Sequence, residues 1–246
     1  MNKVSRLYQH RQDPAQGTLR LRNNIWCDLQ PFNNSLAQIP LVSSRTPRRY
    51  LFGHAKRSLD IIVSSILLIL LFPLLLIIGL LIKLSSRGPI FFTQFRYGAG
   101  LKEFRIIKFR SMYVTEAVDT AKQATKDDPR ITPIGRFIRK SSLDELPQLV
   151  NVLRGEMSLV GPRPHPISLD HYYKDLIPNY LDRYSVRPGI SGYAQVNGAR
   201  GETPTVECMK KRIGYDLAYI KTANLLGDIW ILCRTVHEVL ASRTAY

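Results

Sequence analysis

Cysteine, acidic residues and nucleotide-binding loops are what this 246-residue chain is short of. Its three cysteines, Cys27, Cys208 and Cys233, are odd in number and far apart. That spacing excludes a disulfide framework and a zinc site, and leaves ordinary small apolar residues in a reducing compartment. Aspartate and glutamate number 19 against 35 lysines and arginines, a formal charge of +16 at pH 7. Such an excess requires an anionic partner: nucleic acid, a membrane surface or a phosphorylated substrate. No GxxxxGK[ST] occurs and no GxGxxG follows a strand pattern, so P-loop and Rossmann nucleotide binding are excluded. Internal repeats are absent. No cleavable leader is expected either, since the one long apolar run starts some sixty residues in and no small-residue cleavage site follows it.

That run, IIVSSILLILLFPLLLIIGLLI at 61 to 82, is uncharged. As a straight helix it would reach roughly 33 Å at ~1.5 Å per residue, enough to cross a bilayer core. Its flanks are cationic on both sides: Arg48, Arg49, Lys56 and Arg57 before it, Lys83 and Arg87 after. From Arg48 to Arg110, eleven lysines and arginines face only Asp60 and Glu103. Cationic flanks favour the cytoplasmic face, and here both qualify. Pro73 removes an N–H and clashes with the preceding turn, while Ser64 and Ser65 can satisfy freed backbone groups. A helix that enters, bends near Phe72-Pro73 and exits on the same face meets these constraints. A kinked span and a buried core helix are the alternatives.

The run divides the chain into a polar, disordered arm at 1–47, a membrane hairpin with basic flanks at 48–87, and a domain at 88–246 facing the cytosol. In the last, residues 88 to 112 read as a β-hairpin turning at Gly98 to Lys102. Its Phe91, Phe92, Phe95, Tyr97, Phe104 and Phe109 alternate with Arg96, Lys102, Arg105, Lys108 and Arg110, which suits single-stranded nucleic acid or a headgroup interface. The nearby apolar run favours the interface. Residues 113 to 129 read as a polar helix or loop ending in a solvated turn at Asp127-Asp128-Pro129. Past Thr205, Tyr215, Tyr219 and Trp230 with Lys210, Lys211, Arg212 and Lys221 make amphipathic helices, for a membrane surface by a small margin over a core. The fold class is α+β, mainly α: a re-entrant, monotopic helix-break-helix, a small β-hairpin and amphipathic surface helices around a catalytic core.

The stretch RKSSLDELPQL at 139 to 149 sets Asp144 beside Glu145. Ser142-x-x-Glu145 spells a capping box, and negative charge at a helix start is favoured by ~0.3–1 kcal/mol. Pro147 would then fall inside the helix and delete a hydrogen bond. If Pro147 instead opens the helix, the carboxylates lie just ahead of it and are free for chemistry; structure and chemistry stand level. An ionised Asp144 suits a nucleophile or a hard-cation ligand. Arg139 lies five residues before it, and Arg163 stands nineteen after in GPRP. Guanidinium groups match phosphate oxygens, so carboxylates, a Mg²⁺ ion and converging arginines are the parts of phosphoryl transfer.

The ordered motifs KRSLD (56–60), GPIFFTQFR (88–96), KFRSM (108–112), SLDELPQL, GEMSLVGPRP (155–164), RPGISGYAQVNG (187–198) and YDLAYI (215–220) resemble the bacterial sugar transferases of the monotopic phosphoglycosyl transferase type. The likeness runs from about Lys56 to Tyr246. It implies transfer of a sugar 1-phosphate from a UDP-sugar to undecaprenyl phosphate, with release of UMP, at the cytoplasmic face of the inner membrane. It makes Asp144 the nucleophile and the ligand of Mg²⁺, with Mn²⁺ as a substitute, and Glu145 its partner acid. Lys108, Arg139, Arg163, Arg187 and Asp216 match substrate-binding positions, and Pro73 the break in the membrane hairpin. GYAQVNGARGET (192–203) and Thr244-Ala245-Tyr246 look most like members that start exopolysaccharide or capsule repeats with glucose 1-phosphate; galactose and N-acetyl sugars stay open. The usual R-x-G-x-x-G-K pattern is displaced, with Leu101 where the second glycine is expected. The expected partners are the UDP-sugar, the polyprenyl phosphate and the membrane, with a homodimer left open and no nucleic acid. A membrane-anchored nucleic-acid binder and a non-catalytic scaffold are the readings from other classes.

Overall fold

The computed structural model describes residues 50–114 and 128–241. The arm at 1–47, Cys27, Asp127, most of the polar stretch after residue 113 and Thr244-Ala245-Tyr246 lie outside the described residues. The apolar run forms one helix, α1 (His54–Ser85), with Pro73 in its interior rather than between two helices. Only 11% of its most apolar eighteen-residue window is buried, which removes the soluble-core alternative. Its sheltered positions, Asp60, Ser64, Leu68, Leu71, Leu75, Ile78 and Ile82, recur every three to four residues. This is one stripe along a helix. Ile62, Ile69, Leu70, Phe72 and Leu84 are exposed on other faces.

Both ends of α1 are fastened to the same body. At the start, Lys56 Nζ lies 2.5 Å from Asp228 Oδ2 and donates to the Val160 carbonyl at 3.0 Å. Tyr50 and Tyr219 also donate to Asp228, at 2.6 and 2.9 Å. Arg57 donates to the Val152 and Leu153 carbonyls, and Asp60 accepts from Leu159 N and Ser158 Oγ. At the far end Arg110 donates to the Arg87 and Ser86 carbonyls at 3.0 and 2.8 Å. Ile78 and Ile82 pack there with Phe109 and Ile138.

The expected hairpin is present. Strands β1 (Phe91–Tyr97) and β2 (Glu103–Phe109) pair antiparallel, Phe91 opposite Phe109 and Tyr97 opposite Glu103. At its tip Gly100 and Leu101 both have positive φ, +67° and +60°. Leu101 therefore takes the backbone that the displaced glycine would adopt without strain. Phe104, Ile106 and Phe109 are buried, whereas Phe91, Phe92 and Phe95 are exposed.

Helix α2 (Pro133–Lys140) opens with Pro133 after Thr132, whose hydroxyl accepts from Gly135 N. A 3₁₀ turn, Leu143–Glu145, leads to α3 (Gln148–Arg154), which Gly155 closes at φ +80°. Next come β3 (Ser158–Val160), α4 (Ile167–Tyr173), a 3₁₀ turn at Tyr180–Ser185, and β4 (Gly189–Ser191), which pairs parallel with β3. A Cβ on Gly161 would stand 2.5 Å from the Arg187 carbonyl oxygen, so this approach requires glycine. Helices α5 (Tyr193–Val196), α6 (Val206–Thr222) and α7 (Leu225–Ala241) complete the body.

Several expectations need correction. Tyr215 and Tyr219 lie in the main core with Phe104, Leu149, Val160 and Ile231, and Arg212 is buried, so α6 covers the core rather than a membrane. Helix α7 does expose Leu226, Ile229 and Val236. Asp128 sits at a turn, but Arg130 Nη2 binds its carboxylate at 2.6 Å and the residue is buried, not solvated. Cys208 is buried among apolar residues, as an ordinary small side chain would be, whereas Cys233 is exposed.

Candidate active site

The capping box does not form. Ser142 is left-handed (φ +59°, ψ +15°) and its side chain caps nothing. Such backbone in a non-glycine residue costs on the order of 1–3 kcal/mol and persists where the surroundings enforce it. Pro147 stands at the start of α3, so the acid pair lies just ahead of that helix, as in the second of the two sequence alternatives. The Glu145 side chain turns away from Ser142 to the cations.

Glu145 is held from two sides. Lys108 of β2 donates to its Oε1 at 2.7 Å, and Arg163 donates to Oε2 at 3.0 Å through Nη1 and to Oε1 through Nη2. Burial alone would raise its pKa, but Arg163 and Lys108 outweigh that and hold the carboxyl well below the usual range. Burial lowers the Lys108 pKa, with Glu145 opposing.

Asp144 has the opposite fate. Only 9% of it is exposed, and among the described residues none donates a hydrogen bond to its carboxylate. Burial, then the charge of Glu145, pushes its pKa up to about 6 against the pull of Lys108, Arg139 and Arg163. Two adjacent acids in sequence are thus one locked anion and one titratable carboxylate that no described residue holds. An uncommitted, buried carboxylate among cations is suited to a nucleophile or to a ligand of a hard cation.

A model of the bacterial sugar transferase family matches residues 51–242. The chain belongs to this family. A relative from Klebsiella pneumoniae, described as a UDP-glucose:undecaprenyl-phosphate glucose-1-phosphate transferase, is 48% identical over 213 residues, 87% of this chain and 45% of that protein. A Caulobacter vibrioides protein of the same description is 50% identical over 191 residues, 78% of this chain and 72% of its own length. An Aeromonas hydrophila UDP-N-acetylgalactosamine-undecaprenyl-phosphate N-acetylgalactosaminephosphotransferase is 42% identical over 190 residues, 77% of this chain and 44% of that one. The chain therefore spans about half the length of the first of these relatives.

Within this sugar-transferase domain the structure gathers Lys108, Glu145 and Arg163 into direct contact, with Asp144 and Arg139 in their field. Asp216 is one layer back. It pairs with the buried Arg183 at 2.8 Å, and Arg183 donates to the Arg163 carbonyl at 2.5 Å. Arg187 is not brought to the cluster: its Nε donates to the Gly155 carbonyl at 3.0 Å, at the end of α3. No sequence motif singled out Arg183, His165 or Asp170. Arg183 donates to His165 Nδ1 at 2.6 Å and lies against the rings of Tyr180 and Tyr184, whose hydroxyls bind Asp170. Burial and then Arg183 drive the His165 pKa well down, so the ring is neutral.

Among the described residues no group of three or more His, Cys, Asp or Glu side chains is placed to hold a metal ion. Magnesium is commonly held by one or two carboxylates with substrate phosphates supplying the rest. Asp144, with its uncommitted oxygens, fits that pattern; Glu145, occupied by Lys108 and Arg163, does not.

Proposed function

We propose that this chain transfers a hexose 1-phosphate, glucose 1-phosphate by the description of its nearer relatives above, from a UDP-sugar to undecaprenyl phosphate. The observation that carries the reading is the buried Asp144 carboxylate, to which none of the described residues donates a hydrogen bond, beside Lys108, Arg139 and Arg163. Deprotonated, Asp144 attacks the β-phosphorus of the donor. The bond from that phosphorus to the bridging oxygen breaks, and UMP leaves with the electron pair. An oxygen of the lipid phosphate then attacks the same phosphorus, the bond to Asp144 breaks, and the carboxylate is restored. Arg163, Lys108 and Arg139 offset the charge that builds on the phosphoryl oxygens. A Mg²⁺ ion on Asp144 would neutralise donor phosphates and favour the ionised acid.

Two anchored ends of α1 on one polar body support a re-entrant helix over a span, because a spanning helix would carry its ends to opposite faces. With cationic flanks, that body faces the cytoplasm. The Aeromonas relative keeps an N-acetyl sugar as the second reading of the donor. UMP release measured over a panel of UDP-sugars with undecaprenyl phosphate and Mg²⁺ tests the proposal, and D144N should lose about 10³-fold or more of the turnover. Full turnover by D144N would remove Asp144 as the nucleophile.

A further inference from the structure

Arg200 lies in the loop between α5 and α6 and donates through Nη2 to the hydroxyl of Ser142, fifty-eight residues earlier. Its own backbone is held from behind. Arg212 donates through Nε to the Ala199 carbonyl at 2.9 Å and through Nη2 to the Gly201 carbonyl at 2.7 Å, one on each side of Arg200. Arg212 is buried on α6, so the loop is fixed to a core helix at the residue that reaches across. Gly198 and Gly201 have φ of +77° and +97°, which lets the chain turn on both sides of that reach.

The group that Arg200 meets is the left-handed residue at the foot of the acid pair. Ser142 N donates to the Arg139 carbonyl at 3.2 Å, and Ser142 O accepts from Glu145 N at 3.2 Å. Its backbone thus joins the end of α2, which carries Arg139, to the turn that carries Asp144. Relaxation of φ at 142 would swing the two apart. We propose that Arg200 is a positioning residue that clamps Ser142 in its left-handed conformation and so aims Asp144 at the donor phosphorus. The inference rests on the transfer reaction proposed above and adds a residue that acts through Ser142, not on substrate.

Glycine adopts positive φ without the clamp, and this supplies the test. R200A, S142G and the double variant S142G/R200A are compared with the wild type for kcat, donor KM and thermal unfolding. In the wild-type background R200A should lower kcat about tenfold or more, since displacement near 1 Å can cost ~10²-fold, and change donor KM less than twofold. In the S142G background the same change should cost less than about threefold, and its fall in Tm should shrink in parallel. An equal loss in both backgrounds, a raised donor KM at unchanged kcat, or no loss at all would overturn the clamp. Absence of UMP release from the wild type across the donor panel would instead remove the reaction, and the melting comparison would still decide whether Arg200 holds Ser142.

Discussion

Arg163 places two guanidinium nitrogens on the carboxylate of Glu145, and Asp144 next to it receives a hydrogen bond from none of the described residues. One ion pair thereby divides two neighbouring carboxylates into a fixed charge and a reactive one.

The pH dependence follows from that division. Asp144 must be ionised to attack, and its pKa is pushed up to about 6 by burial and by Glu145. In metal-free protein the titration curve of Asp144, read as the wild-type minus D144N infrared difference, should rise through a limb near pH 6 and flatten above it. A limb near pH 4 would show that Asp144 is not held up.

E145Q should move that limb to lower pH, because removing the charge of Glu145 takes away a cause of the rise while Lys108 and Arg163 remain. It also leaves two cations without their shared anion. Stability should fall by ~2–4 kcal/mol, read by thermal unfolding in detergent.

Asp144 and Glu145 should also have opposite stability profiles. The Asp144 pKa lies above its ordinary 3.8, so its stabilising contribution is complete below about pH 4 and is lost as pH rises through about 6. D144N should therefore raise Tm at pH 7–8, by ~2–6 °C, and have little effect near pH 4. Glu145 is held well below its ordinary value, so its contribution is present above pH 4.5 and lost on acidification. E145Q should accordingly cost most at neutral pH.

D228N should release the start of α1. It removes the charge that pairs with the buried Lys56 and one of the two oxygens that accept from Tyr50 and Tyr219, a loss of ~3–5 kcal/mol. A K56M/D228L pair should recover most of the loss, because neither charge is then stranded. Equal melting temperatures for D228N and wild type would show that the pair contributes nothing.

G161A should damage the site through the backbone. The added Cβ meets the Arg187 carbonyl, so β3 and β4 must part and the turn bearing Arg163 must move. A loss of ~2–4 kcal/mol with reduced turnover is expected from unfolding curves and UMP release.

Legibility in the sequence followed the range of the interactions. The β-hairpin was readable because aromatic and β-branched residues flank a glycine-bearing turn, and the start of α3 because Pro147 tolerates no place in a helix interior. Lys108, Glu145 and Arg163 came from motif likeness, and their contacts bear out a shared cluster without testing their roles. Between the capping box and a free acid pair the sequence could not choose, since the spacing of Ser142 and Glu145 says nothing about a left-handed backbone between two elements. Arg187 came from the same likeness, and in the structure its Nε donates to the Gly155 carbonyl at the end of α3. Tyr215 and Tyr219 looked interfacial beside lysines, but helix periodicity does not say which neighbour covers a face. Arg183, His165, Asp170 and Asp216 meet only through tertiary packing, and no local pattern signals it.

The bond between Lys56 and Asp228 joins positions 172 residues apart. During synthesis the apolar helix leaves the ribosome long before its acidic partner on α7 has been made. The start of α1 therefore stays without its acidic partner until the last helix has emerged, so this attachment is among the last contacts of the fold to form. The loop that reaches Ser142 is likewise fastened only once α6 supplies Arg212.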